Sequence, residues 1–407
     1  MAEPLRVGLA GLGTVGSAVA AMIMRSRTAL AERAGRAIDL AAYASKDPPK
    51  DRTLDLAKAR EVADPVALAR DPGIDVFVEL MGGEGDPAKS SVEAALSIGR
   101  PVVTANKALL ARHGVALARL AEAKNAALCF EAAVAGGIPI VKTLREGLGG
   151  SRISRVYGIL NGTCNYILTR MYKERLSFAA CLKEAQRLGY AEADPTFDIG
   201  GFDTAHKLAI LTSLAFGTEV DAEAVHVEGI ESISLADLQA AEELGYRVKL
   251  LGVAQRTSAG IEQRVHPTMV RQGTVIAGVD GVTNAIAIDA DTMELTLMGP
   301  GAGGAATSAS VVADIADIAA GRRVRSFGRP VAGLTKPERA PIQRHEGGYY
   351  IRLAAVDRPG TAATIARRMA DENISLESIM QRGGDRRPHG GEEPPSADKP
   401  APVALIT

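Results

Sequence analysis

Apolar positions open the chain as a short run over 5–10, the pattern of a buried strand. A glycine-rich turn follows, and then Val15, Val19, Met22 and Ile23 recur at helical spacing. Strand-like runs at 38–44, 74–80 and 101–104, with a helix over 88–98, continue the alternation. Strands alternating with helices imply right-handed crossovers and a parallel sheet covered on both faces. Residues 1–130 are therefore expected to form one doubly wound domain.

Beyond 130 the pattern changes. Helices are predicted at 176–188 and 204–216. In the first, Phe178, Cys181, Leu182 and Ala185 make one apolar stripe, and Gly189 stands where a glycine would end it. Strand-like runs at 153–160, 248–254 and 285–289 predict a mixed sheet with helices on it, so 131–299 reads as a second domain. The glycines of 299–304 lead into a helix from about 307 to 320, and 300–322 is expected to return to the first domain. Residues 323–346 lack a period and read as a linker. A small unit then closes the chain over 347–407: strand 349–355, turn 357–360, helix 361–372, strand 374–381, a mobile loop over 383–401 and strand 402–407. The expected class is α/β, with a Rossmann-type sheet, an α+β domain and a small ferredoxin-like piece.

Composition narrows the class of function. Forty-seven basic and 48 acidic residues leave a net charge of −1, so nothing global favours nucleic acid or an anionic membrane. The longest uncharged stretch, Leu295 to Ala313, is broken by Gly, Pro, Ser and Thr, and no membrane span is expected. The first residues carry no basic flank, so no signal peptide is expected. Cys129, Cys164 and Cys181 lack CxxC spacing, which indicates neither a disulfide framework nor a zinc site. A cytoplasmic, reducing compartment fits that usage.

Gly11, Gly13 and Gly16 form GxGxxG between the first predicted strand and helix. Gly11 serves the tight turn, Gly13 lets a pyrophosphate approach the backbone, and Gly16 permits close helix–strand packing. The helix amides, with Thr14 and Val15 at its start, would face the anion. After the second strand, Ser45, Lys46 and Lys50 stand where an NAD site usually holds an acid, so NADP is favoured over NAD, with NAD left open.

Two further segments carry chemistry. Val102–Lys107 is a β-rich run ending in a polar pair, at a strand end where ligands bind in such sheets. Between Gly189 and Lys207 lie Glu192, Asp194, Asp198 and Asp203. Asp203 and Lys207 are four apart, hence on one helix face, the acid at the positive end of the dipole. Read alone, such a pair is better explained as a structural surface ion pair than as a functional one.

Taken together these motifs resemble homoserine dehydrogenase over essentially the whole chain. The resemblance is carried by Gly8 to Gly16, Val78 to Gly83, Val103 to Lys107, Glu131 to Pro139, Asn161 to Thr163, and most specifically Gly189-Tyr190-Ala191 through Asp194-Pro195 to Asp198, Gly201, Asp203 and Lys207. Gly299 to Gly304 resembles the family's late glycine loop, with Gly301 and Gly303 near the cofactor. The resemblance implies NAD(P)-dependent interconversion of L-aspartate 4-semialdehyde and L-homoserine, toward threonine and methionine. It makes Lys107 and Lys207 catalytic, with Asp203 orienting Lys207. Glu192, Asp198, Tyr190, Gly162 and Thr163 would contact the amino-acid substrate, and Thr104 and Lys107 the cofactor. Backbone groups of Glu131, Val134, Gly136 and Ile138 would hold a structural monovalent cation, typically sodium. A homodimer or homotetramer built on the second sheet is implied.

The last unit resembles an ACT domain through Val356, Asp357, Arg358, Pro359 and Gly360, which implies an amino-acid effector, although its pattern stops after three strands. Two alternatives stay open. A phosphorylating semialdehyde dehydrogenase would need a cysteine nucleophile, for which Cys164 is the candidate. A non-catalytic sensor would bind the same ligands without hydride transfer.

Overall fold

The computed structural model describes residues 3–51, 53–341, 347–356, 358–381 and 400–407. Its first layer contains β1 (Leu5–Ala10), α1 (Thr14–Arg25), α2 (Arg27–Ala34), β2 (Ile38–Ala44), β3 (Arg60–Glu61), α3 (Pro65–Arg70), β4 (Val76–Glu79), α4 (Ala88–Ser97), β5 (Val102–Thr104), α5 (Lys107–Ala123) and β6 (Leu128–Cys129). The strands pair in parallel in the order β3-β2-β1-β4-β5-β6. That order reverses between β1 and β4, which opens a crevice beyond their carboxyl ends, the place where such sheets bind ligands.

A short helix, α6 (Ile140–Lys142), leads into the second layer: β7 (Ile153–Ile159), α7 (Gly162–Glu174), α8 (Phe178–Arg187), α9 (Thr196–Ile199), α10 (Phe202–Phe216), β8 (His226–Val227), α11 (Leu235–Glu243), β9 (Tyr246–Thr257), β10 (Gly260–Arg271), β11 (Thr283–Ala290) and β12 (Glu294–Pro300). These six strands run β12-β11-β7-β9-β10-β8, antiparallel except for β10 with β8. Strand alternation sorts the side chains. Leu250, Ala254, Ile286 and Ile288 join the large core under α7 and α10, whereas Leu251, Val253, Ala285 and Ala287 form a small cluster on the opposite face.

The chain then returns as expected. α12 (Gly304–Ala319) lays Val311, Val312 and Ile315 against Leu5, Val7 and Val76 of the parallel sheet. Where chain leaves and re-enters, Gly137 N donates to Pro300 O at 3.1 Å. The described part of 323–346 holds no strand or long helix, yet it is packed down by buried Phe327, Val331 and Leu334. The last unit is β13 (Tyr350–Val356), α13 (Thr361–Asp371), β14 (Ser378–Gln381) and β15 (Pro400–Ile406), with antiparallel order β13-β15-β14.

Several expectations need correction. α12 begins at Gly304 rather than near 307. The strand expected over 374–381 is shortened to 378–381, because Asn373 adopts φ 57° and the chain turns first. The mobile loop expected over 383–401 lies outside the described residues up to 399, and 400–401 belong to β15. Asp357 is also outside them. α2, α3, α5, α6, α7, α9, α11, β3, β6, β8, β10 and β12 had no counterpart among the predicted elements.

Candidate active site

The GxGxxG turn shows a separate physical reason for each glycine. Gly11 takes φ +95°, and a Cβ there would stand 2.6 Å from Leu80 O. A Cβ on Gly16 would stand 1.8 Å from Gly11 O, so α1 packs directly on the turn. Around Gly13 no protein atom lies within 4 Å of the Cβ position, which leaves open space over the backbone. Gly13 starts α1 without a side-chain cap, and Gly303 starts α12 likewise. The two starts meet, since a Cβ on Gly304 would lie 2.9 Å from Thr14 O. Uncapped amides of two helices thus face one region, the arrangement an anion requires. After β2, Ser45 Oγ accepts from Leu12 N at 3.3 Å, and Lys46 and Lys50 are exposed.

The second cluster is assembled from four chain segments. Asp203 lies in the first turn of α10, buried at 4% exposure, where the helix N-terminus favours a carboxylate. Its Oδ2 accepts from Lys207 Nζ at 2.6 Å and from Asn161 Nδ2 at 2.9 Å, and its Oδ1 pairs with Lys107 Nζ at 3.1 Å. Burial alone would raise the Asp203 carboxyl. The ammonium groups of Lys207 and Lys107, with the hydrogen bonds from Lys207 and Asn161, overcome it and hold the carboxyl well below the ordinary range. Asp203 is therefore a fixed anion. Lys207 Nζ also donates to Leu160 O at 2.7 Å, so two of its three hydrogens are engaged and one remains. Lys107, the first residue of α5, keeps a third of its side chain exposed.

Asn161 links the parts. It caps α7 by accepting from Cys164 N at 2.9 Å, and its Nδ2 reaches both Asp203 and Asp198 Oδ1, the latter at 2.8 Å. Thr163 Oγ1 donates to Tyr190 O at 2.7 Å, which ties the 189–195 loop to the start of α7 at Gly162 and Thr163. Glu192 is not drawn in. Its side chain is exposed and makes no hydrogen bond or ion pair with a described residue. Cys164 is buried, and burial together with the Asp198 and Asp203 charges pushes its thiol well above its ordinary value. It donates to Asp198 O, so it is no poised nucleophile.

Burial, and then the neighbouring Asp203 charge, raises Asp198 above the ordinary 3.8. A carboxyl raised on folding keeps its proton longer in the native state. Its cost to stability is absent below 3.8 and grows as pH rises through the window above it. Asp198→Asn should therefore melt about 1–3 °C above the parent at pH 7, with the gap closing near pH 4. Thermal scans at the two pH values check this, and an equal gap at both would contradict it.

Among the described residues no group of three or more His, Cys, Asp or Glu could hold a metal ion through side chains. Glu131, whose backbone was expected at a cation, spends its carboxylate on Val141 N and Lys142 N at 2.9 and 2.8 Å. Burial, then the Asp314 charge, pushes that carboxyl up to about 7. The Ile138 carbonyl accepts from Ile140 N. Those of Val134 and Gly136, both buried residues, receive no hydrogen bond from a described group.

Asn161 and Glu79 appeared in the sequence only as parts of quoted motifs. An asparagine just ahead of Gly-Thr-Cys-Asn was the available capping signal for Asn161. Glu79 had no signal beyond its place at a strand end.

Two family models match the chain. The homoserine dehydrogenase model matches residues 139–316, and the model for the NAD-binding domain of homoserine dehydrogenase matches 11–131. The chain belongs to the homoserine dehydrogenases. A Neisseria gonorrhoeae homoserine dehydrogenase is 46% identical over 388 residues, 94% of this chain and 89% of the relative. The crystal structure of a Thiobacillus denitrificans homoserine dehydrogenase superposes with a TM-score of 0.90 at 41% identity, over 99% of this chain and 91% of that one. A hyperthermophilic archaeal homoserine dehydrogenase in complex with NADPH matches 77% of this chain and 97% of its own, at 27% identity and a TM-score of 0.65. The chain is thus an NAD(P)-binding oxidoreductase of amino-acid biosynthesis. Among its described residues no helix is long and apolar enough to cross a membrane.

Proposed function

We propose that this homoserine dehydrogenase reduces L-aspartate 4-semialdehyde to L-homoserine reversibly, with NADP preferred, and that Lys207 and Lys107 do the proton and charge work. The observation that carries the reading is the Lys207–Asp203–Lys107 cluster, with Asp203 and Lys207 buried and one ammonium hydrogen of Lys207 left over. The open backbone at Gly13 and the two uncapped helix starts fit a dinucleotide held by Gly11, Gly13, Thr14, Val15, Gly16, Gly301, Gly303 and Thr104. When bound, the reduced nicotinamide supplies the hydride. Negative charge then growing on the substrate oxygen would be met by Lys207 Nζ, which donates the proton, with Lys107 as a second positive group. Asp203 stays ionised and orients both ammonium groups. Asp198 Oδ2, free of described partners, suits the substrate's amino group, and Thr163, Gly162, Tyr190 and Glu192 complete the contact set.

Lys46 is assigned to a 2′-phosphate on the ground of its exposed position after β2. The archaeal relative's NADPH supports that choice. A monovalent cation, sodium by family resemblance, would suit the Val134 and Gly136 carbonyls, with Glu131 and Ile138 beside them. Met298, Val275 and Val282 are exposed apolar groups, and Met298 lies beside Ala285 on the sheet face away from the helices. That face is assigned to a homodimer or homotetramer. The last unit is assigned an amino-acid effector. Three unpaired cysteines suit the cytoplasm.

Absorbance at the reduced-nicotinamide band, followed with aspartate semialdehyde plus NADPH or NADH, tests the reading. We expect consumption with both and a faster rate with NADPH. Equal rates would remove the role given to Lys46, and no consumption with either would remove the activity.

A further inference from the structure

We propose that Glu79 is a positioning residue for Lys107, acting through a closed ring of hydrogen bonds; the inference rests on the role given to Lys107 above. Glu79 ends β4 at the crevice where the strand order reverses, and it is fully buried. Among the described residues no cation lies within ion-pair distance of it. Its charge is met instead by three donors: Met81 N at 2.8 Å and Gly82 N at 3.1 Å on Oε1, and Thr104 Oγ1 at 2.6 Å on Oε2. A buried carboxylate kept without a counter-ion is costly unless such donors hold it in place.

The ring continues to Lys107. Thr104 Oγ1 accepts from Asn106 N at 2.9 Å. Asn106 Nδ2 donates to Gly83 O at 2.6 Å, back on the loop that Glu79 holds. Asn106 Oδ1 accepts from Leu109 N at 3.0 Å and so caps α5, whose first residue is Lys107. The 81–83 loop and the 104–107 turn are thereby locked as one body. Lys107 leaves that body to reach Asp203 on another domain.

A carboxylate is the group that three converging donors need, because it only accepts. Glutamine in its place would turn an NH₂ toward the loop amides or toward Thr104, so one side of the ring would loosen while volume is kept.

The test is a double-mutant cycle on the full chain. Glu79→Gln should lower kcat about 10- to 50-fold, in line with the cost of a small misplacement near the chemistry. KM for NADPH and for the semialdehyde should stay within about threefold. In a Lys107→Ala background the same substitution should cost less than about twofold, because the group it positions is gone. Additive losses would overturn the proposal. So would a normal kcat per NADPH-binding site with a lowered melting temperature, the signature of a purely structural role. An unchanged Lys107→Ala enzyme would remove the role of Lys107 first, and this inference with it. Asn106→Asp guards against a misfolded Glu79 variant: it keeps the cap on Leu109 and repels Gly83 O, and it should repeat the loss in kcat and its disappearance without Lys107.

Discussion

Lys207→Ala is expected to lower turnover by at least about 100-fold while NADPH affinity barely moves, an effect of about 2.7 kcal/mol or more on the transition state. The lysine sits with two hydrogens engaged, by Asp203 Oδ2 and Leu160 O, and the third is the one the developing alkoxide would use. Alanine removes that donor and leaves Asp203 with Lys107 and Asn161, so the buried carboxylate is still partnered and the fold should hold. Single-turnover rates and NADPH fluorescence titration, measured on one preparation, separate the two quantities. An affinity that collapsed together with turnover would show that Lys207 serves the cofactor instead.

Gly16→Ala is the second large effect, and it acts on stability and cofactor binding at once. A methyl group 1.8 Å from Gly11 O has nowhere to go, because Gly11 is itself pinned, with its own Cβ position 2.6 Å from Leu80 O. α1 would have to lift off β1, taking its N-terminal amides with it. Overpacking of this kind costs about 1–3 kcal/mol, and here both partners are backbone, so the upper end is expected. The melting temperature should fall by several degrees and NADPH affinity by at least about 30-fold, about 2 kcal/mol. Gly13→Ala is the contrast. Open space surrounds that position, so the melting temperature should stay put while NADPH affinity drops, since the methyl enters the space left for the ligand. Matching melting curves for the two variants would refute the division of labour.

β1, β2, β4 and β5 of the nucleotide half were readable from residue pattern because each is a short, largely apolar run, whereas β3, two exposed charged residues, and the two-residue β6 offer no such pattern. The Asp203–Lys207 pair was readable from spacing alone. Lys107, 96 positions away from Asp203, was not, and only the family resemblance joined them. α7 was hidden because Asn161-Gly162 reads as a turn, although the asparagine is in fact a cap for a helix opened by weak helix formers. β10 was hidden for a different reason. It carries Glu262, Arg264, His266 and Arg271 with Pro267 in mid-run, and its buried charged and polar residues erase the apolar alternation that marks a strand. Glu79 was invisible as a functional residue because what matters about it is the joining of two nearby amides, Met81 N and Gly82 N, with Thr104 Oγ1 from the next strand, and that last link is tertiary.

The return of α12 across the whole catalytic layer bears on how the chain is made. Leu5, Val7, Leu9 and Ile38 find part of their cover in Val311, Val312 and Ile315, which a ribosome reaches only after the residues from 131 to 303 have been translated. At about 5–20 residues per second that delay is roughly 10–35 s. For that interval the sheet face lacks the part of its cover that α12 supplies, so the fold of the nucleotide-binding half closes only after the domain inserted within it has emerged.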